Sequence, residues 1–154
     1  MTDVNSVWMK IYKLRRKSMQ YEISCGALIF KRVNNEIYWL IIKSLEGIYG
    51  FPKGHMEGDE TEIMTAKREI FEETGIKPCI IEGFRETDEY PLPKKSGVMK
   101  RVIYFLAEFD GQEIVYQKEE LLGAELLTFD DAMKLFQFEG VKRILKKAND
   151  FLKK

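Results

Sequence analysis

Glu69, Glu72 and Glu73 constrain this chain more than any other residues. They fall in the second half of the segment 54–76, GHMEGDETEIMTAKREIFEETGI, where the pattern predicts a helix from about Glu62 to Thr74. Thr61 is a candidate N-cap and Gly75 a candidate C′ residue. Ile63, Ala66 and Ile70 repeat at helical spacing and form the predicted core stripe. Residues three and four apart are neighbours on a helix, so the three glutamates share one face, away from that stripe. Each like-charged pair there costs about 0.2–0.5 kcal/mol. The C-terminal half of a helix is also where the macrodipole disfavours negative charge. Local physics opposes this arrangement, so a positive partner is expected. A hard divalent cation fits best, because magnesium takes oxygen ligands and bridges carboxylates to phosphates. An acidic helix face turned to solvent is the alternative that the triplet alone leaves open.

The rest of the chain sets the frame. Its 154 residues favour one domain, with room for a real hydrophobic core. Lysine plus arginine and aspartate plus glutamate each number 25, a balance unsuited to holding a nucleic-acid backbone over a long track. Cys25 and Cys79 lie in apolar, strand-like runs without a CxxC partner, and are expected as buried, reduced thiols. No apolar run approaches the roughly 18 residues of a membrane span, and no signal region opens the chain. A cytoplasmic protein is expected. Residues 1–20 read as a basic arm, disordered, solvated or loosely docked, with Lys10, Lys13, Arg15, Arg16 and Lys17 among Trp8, Ile11 and Tyr12; contact with RNA or an anionic membrane surface is the alternative. The domain proper is expected over residues 21–154.

Residues 21–32 and 37–44 predict a hairpin around a turn at Asn34 and Asn35, the second strand apolar on both faces and therefore central. Gly47, Gly50, Pro52, Gly54 and Gly58 punctuate a long loop. Beyond the helix, residues 79–86 predict a strand, Pro91 and Pro93 a loop, residues 98–109 a long strand and residues 125–128 a short one. Thr128 or Asp130 is positioned to cap a helix containing Ala132, Met133 and Phe136. A last helix over residues 139–152 has Val141, Ile144, Leu145, Ala148 and Leu152 as its apolar face. Strands and helices interleave, which predicts a mixed α/β layer structure.

The spacing carries more than the triplet does. Gly54, Glu60, Arg68-Glu69-Ile70, Glu72-Glu73 and Gly75-Ile76 together match the Nudix box at every position, and the chain resembles the Nudix hydrolases. That resemblance implies an α/β/α sandwich, a mixed sheet between helices, with the loop–helix–loop as metal and catalytic site. It implies Glu72 and Glu73 as magnesium ligands and Glu69 as a ligand or general base. The carbonyl of Gly54 would complete the coordination, and manganese would be able to replace magnesium. Glu60 and Arg68 would orient these groups, Arg68 through a rigid fork that holds two oxygens at once. A further carboxylate is expected from the loop holding Glu119 and Glu120, with Glu120 preferred.

Resemblance extends over about residues 22–145 to the asymmetric diadenosine tetraphosphate hydrolases. It rests on Gly50-Phe51-Pro52-Lys53-Gly54-His55, on Ile80-Ile81-Glu82-Gly83-Phe84 and on Val102-Ile103-Tyr104-Phe105-Leu106-Ala107-Glu108. It implies a phosphate contact at Lys100, adenine stacking at Tyr90 and projection of Tyr104 toward the nucleotide pocket. Lys53, Lys94, Lys95 and Arg101 add cations suited to a polyphosphate. Two departures stand out: Tyr49 replaces a tryptophan common in relatives, and residues 86–99 match poorly. The expected reaction is hydrolysis of a dinucleoside tetraphosphate to a nucleoside triphosphate and a monophosphate. The alternatives are a pyrophosphohydrolase acting on RNA 5′ ends or nucleoside triphosphates, and a non-catalytic nucleotide sensor. Neither DNA nor a membrane is expected as a partner, and the protein is expected as a monomer or homodimer.

Overall fold

The computed structural model describes the backbone of residues 3–154 and, apart from residues 15–18, their side chains. Arg15, Arg16 and Lys17 of the basic stretch therefore lie outside the described side chains. The stretch expected as a loose arm forms helix α1 (Val4–Ser18), its N-terminus capped by Asp3, which accepts from the Asn5 amide. Lysine, arginine, leucine and methionine are good helix formers, and the Asp3 cap satisfies one of the first amides.

Strands β1 (Gln20–Val33) and β2 (Glu36–Ser44) form the expected hairpin. Asn34 and Asn35 both take positive φ, 50° and 67°, as a two-residue hairpin turn with matching twist requires. The two strands pair only from Phe30–Trp39 to the turn. Beyond that they part, and the glycine-punctuated loop supplies two short strands between them. These are β3 (Tyr49–Gly50), on β2, and β4 (Lys53–His55), on β1. Gly26 makes this closure possible: a Cβ there would stand 2.0 Å from the Pro52 carbonyl oxygen.

Helix α2 (Glu62–Thr74) follows, then β5 (Cys79–Pro91), β6 (Val98–Glu108), β7 (Leu121–Leu127), α3 (Phe129–Leu135) and α4 (Glu139–Leu152). The sheet order is β3-β2-β1-β6-β5, with β1 and β6 parallel and β7 on the outer edge of β2. β2 is thus interior, as its apolar run implied.

Alternation along β1 and β6 divides the core. Leu28, Phe30, Val102, Tyr104 and Leu106 face Ile144, Leu145 and Ala148 of α4. Cys25, Ala27, Ile29, Ile103, Phe105 and Ala107 face Ala66 and Ile70 of α2. A sheet buried on both faces gives the α/β/α sandwich, each large aliphatic contributing about 1.5–3 kcal/mol of burial.

Several expectations need correction. Ile63 is exposed; it lies on the same meridian as Ala66 and Ile70 but in the first turn, and burial of α2 begins with the second. Cys79 is exposed because it opens β5, the edge strand of the sheet, whereas Cys25 is buried as expected. β5 runs past Glu86 to Pro91 after a bulge between Ile81 and Glu86, where Gly83 takes φ 94°. An edge strand accommodates a proline because one edge needs no N–H donor. β7 begins at Leu121 rather than near residue 125. Thr128, not Asp130, caps α3 by accepting from the Asp131 amide.

Gly26→Ala should destabilise the fold by about 2–4 kcal/mol, because backbone and not a flexible side-chain end blocks the new methyl. Chemical denaturation measures this; a cost near zero would show that β4 does not need its close approach to β1.

Candidate active site

The site is assembled where β4 meets α2. Thr61 accepts from the Met64 amide, and Gly75, at φ 73°, ends the helix by donating to the Phe71 carbonyl. The loop before β7 then closes over the C-terminal end of α2. Val115 and Gln117 donate their amides to the Thr74 and Glu73 carbonyls, at 2.9 and 3.1 Å. This docking satisfies helix carbonyls that would otherwise lack partners, and it carries Glu120 to the site. The sequence offered no signal for it, since backbone amides carry no residue signature.

Arg68 is the hub. Its Nε and Nη2 donate to the two oxygens of Glu60 at 2.7 and 2.9 Å. Nη1 donates to Glu69 at 2.9 Å and to Glu72 at 3.2 Å, and Nη2 also reaches the His55 carbonyl at 2.9 Å. The guanidinium hydrogen bond holds the Glu60 carboxyl well down, at about 2. Glu60 also accepts from the Glu57 amide and the Thr65 hydroxyl, which ties the loop to the helix. One arginine therefore binds three of the carboxylates singled out in the sequence, with the charge-assisted fork geometry expected of it.

Glu73 stands apart from that clamp. It is only 7% exposed, and its Oε2 has no hydrogen-bond partner. Burial, then the charge of Glu69, pushes its carboxyl up to about 8, against the pull of Lys53 and with a further push from Glu120. Burial likewise raises Glu69, opposed by its bond to Arg68 and reinforced by the charges of Glu72 and Glu120. Glu120, an exposed residue of the closing loop, adds its negative charge at both Glu73 and the half-buried Glu69.

Gly54 shapes the floor. A Cβ there would fall 1.9 Å from the Glu69 carboxyl carbon, so the carboxylate packs directly on the glycine backbone. Among the described residues no three His, Cys, Asp or Glu side chains are already gathered as a metal cage. A hard cation that keeps waters and takes phosphate oxygens needs fewer protein ligands. The orphaned, buried Glu73 oxygen beside Glu69 is suited to such an ion, and its donor set is all oxygen.

Two of the expected cations converge here. Burial lowers Lys53, opposed by Glu73 and Glu69. Lys100 is 6% exposed, and burial, then the charge of Lys53, lowers it to about 8. Tyr90 is the cross-strand partner of Lys100 and remains 37% exposed. Of the other cations, Lys95 pairs with Glu22, Arg101 donates to Glu89 at 2.7 Å while stacking over Tyr21, and Lys94 is exposed. Tyr104 does not project into an open pocket. It is 1% exposed and meets Phe51 edge-on at 5.7 Å, so its ring supports the site from within the core.

Asp88 was missed. It lies two residues before Tyr90 on β5, with its carboxylate against Gly140 in the first turn of α4 and 3.8 Å from Arg143. Alternation would have placed it beside Tyr90 had the strand been read past Glu86. A cleft of about 210 Å³ lies elsewhere, between β2, β3 and β7, lined by Ile41, Lys43, Tyr49, Leu122, Gly123, Glu125 and Leu127. None of the clustered carboxylates lines it. His55, whose pKa is lowered by burial and then by the charge of Lys100, is exposed beside the clamp rather than within it.

Comparison with known proteins converges on the same segment. The NUDIX domain profile matches residues 23–148. The bis(5′-nucleosyl)-tetraphosphatase [asymmetrical] of Rattus norvegicus is 36% identical over 141 residues, spanning 84% of this chain and 94% of that protein. Its counterpart from Sus scrofa is equally similar, at 36% over 141 residues. Among solved structures, a C. elegans Ap4A hydrolase binary complex superposes with a TM-score of 0.79 at 25% identity, covering 86% of this chain and 98% of that one.

In metal-free protein, a Glu73 with folded pKa near 8 and an unfolded value near 4.5 favours folding below pH 4.5 and loses that advantage as pH rises toward 8. Glu73→Gln should therefore raise the melting temperature in chelator at pH 8 and change it little at pH 4.5. Thermal melts at the two pH values check this; a lower melting temperature for the variant at pH 8 would mean Glu73 is paired rather than strained.

Proposed function

Since this chain belongs to the NUDIX domain family, we propose that it hydrolyses a dinucleoside tetraphosphate, diadenosine tetraphosphate first, to a nucleoside triphosphate and a monophosphate. The observation that carries the proposal is the buried, unpartnered Glu73 oxygen beside Glu69 and Glu120, faced by Lys53. An uncompensated buried carboxylate is costly, and a site that leaves one in place is built for a cationic ligand. The named activity of relatives matched over nearly their whole length supports the substrate class.

Glu69, Glu72, Glu73 and the Gly54 carbonyl would hold magnesium, or manganese in its place. When bound, the ion would neutralise phosphate charge and lower the pKa of a water. Arg68 and Glu60 fix the rotamers of Glu69 and Glu72, so the carboxylate face is set before substrate arrives. Lys53 and Lys100 bind the polyphosphate, whose negative charge offsets the cost of holding a half-buried and a buried ammonium group near each other. Tyr90 offers a face for adenine, a contact tolerant of base identity. Attack by water forms a new P–O bond while the bridging P–O bond breaks and the leaving nucleotide departs. Glu69 or Glu120 accepts the proton of the attacking water.

In this reading residues 21–154 form the catalytic domain and residues 1–20 an appendage. The free thiols of Cys25 and Cys79 fit a reducing compartment such as the cytoplasm. Among the described residues no helix is long and apolar enough to cross a membrane.

Chromatography of the products tests the proposal. Diadenosine tetraphosphate with magnesium should yield ATP and AMP in equal amounts, and Glu72→Gln should slow turnover by about two orders of magnitude or more with its melting temperature retained. Survival of that substrate while triphosphate RNA loses pyrophosphate would overturn it. Lys100→Met should raise KM about ten-fold for the tetraphosphate yet stabilise the protein at pH 7, because the charged ammonium is held at a cost there. An unchanged KM would remove Lys100 from the phosphate path.

A further inference from the structure

Helix α1 takes no part in the site, and it leaves its apolar side chains in water. Val4, Trp8 and Leu14 are 67%, 63% and 66% exposed, with Val7, Met9 and Tyr12 exposed as well. Val4, Val7, Ile11 and Leu14 recur at three- and four-residue spacing and form one stripe, with Trp8 at its margin. Asn5, Ser6 and Lys13 lie on the opposite face together with Met9, and Lys10 flanks the stripe on the side away from Trp8. The helix sequence holds Lys10, Lys13, Arg15, Arg16 and Lys17 and no acidic residue. The chain as a whole is neutral, so its basic excess is concentrated at this one end.

We propose that α1 lies flat on an anionic lipid surface, its apolar stripe at the boundary between headgroups and acyl chains and its lysines against the headgroups. A cationic polar face opposite aliphatic and tryptophan side chains, on a helix of low mean hydropathy, is the pattern of an interfacial helix. Charge and stripe together select this occupant. RNA would engage the cations and leave Val4, Val7, Ile11 and Leu14 in water. A second copy of α1 would cover the stripe but bring two all-cationic helices together with no carboxylate to offset them. Fifteen residues with five charges neither reach nor tolerate the full bilayer core. Where a loose arm would leave them scattered, the helix fixes Val4, Val7, Ile11 and Leu14 on one side.

Flotation of the full chain with vesicles tests the proposal. Binding to phosphatidylcholine–phosphatidylserine vesicles should exceed binding to phosphatidylcholine alone by more than about ten-fold and fall as salt is raised. Tryptophan emission should shift to the blue on binding. Trp39 is fully buried, so that shift reports Trp8. Lys10→Glu combined with Lys13→Glu, and separately Ile11→Asp, should abolish flotation while nucleotide hydrolysis in solution stays at the wild-type rate. Equal flotation with neutral vesicles would overturn the proposal, as would flotation indifferent to both variants. So would retention by an RNA oligonucleotide alone, or a dimer that Ile11→Asp dissociates without any vesicle binding.

Discussion

Confinement of negative charge on α2 is the constraint on which the rest depends. Glu60, Glu69 and Glu72 share one guanidinium, and Glu73 is buried without that help. A single Arg68 does not neutralise such a face. The two consequences are opposite in sign: Glu60 is held at about 2, while Glu73 is pushed to about 8. The clamp thus fixes geometry and leaves one buried carboxylate oxygen, Glu73 Oε2, without a partner. Across the site, Lys53 and Lys100 are strained in the complementary sense, both lowered by burial. In the proposed function a magnesium polyphosphate would relieve both strains together.

The fold exists to hold these groups at fixed separations. Parallel pairing of β1 with β6 aligns Glu22 with Lys100 and Gly26 with Tyr104, and antiparallel β5 sets Tyr90 opposite Lys100. Parting of the β1–β2 hairpin admits β4, and β4 places Lys53 and Gly54 over α2. The loop before β7 then reaches the end of α2 through backbone bonds. Lys53, Tyr90 and Lys100 therefore sit on strands, while Glu69, Glu72 and Glu73 sit on a helix capped at both ends. Such division favours preorganisation over adjustment, in keeping with electrostatic stabilisation of a transition state.

What was legible in the sequence followed from periodicity and spacing. The α2 boundaries, both of its caps and the two-faced alternation of β6 were all readable, because each depends on near neighbours. Arg68 and Glu60 were legible only through the spacing of the whole segment, since eight residues separate them. Other features depend on tertiary context. Ile63 has core spacing but lies in the uncovered first turn, and Cys79 has a strand context but opens an edge strand. The resemblance implied that Tyr104 projects toward a pocket, and its ring is instead buried in the core. Asp88 was hidden by the bulge at Gly83, which interrupts the period-2 signal. The order of α1 stayed open in the sequence, because a short helix without tertiary packing is marginal on propensity alone.

Manganese-induced relaxation in the nuclear magnetic resonance spectrum tests the central claim most directly, since the paramagnetic ion broadens only the amides near it. Sub-stoichiometric manganese should broaden the amides of Gly54, Glu69, Glu72, Glu73 and Glu120, leave those of β5 near Glu86 and Asp88 sharp, and lose its effect when excess magnesium competes. Broadening centred on Glu86 and Asp88 instead, or spread evenly over the acidic surface, would contradict the assignment of the strained carboxylates on α2 as the cation site.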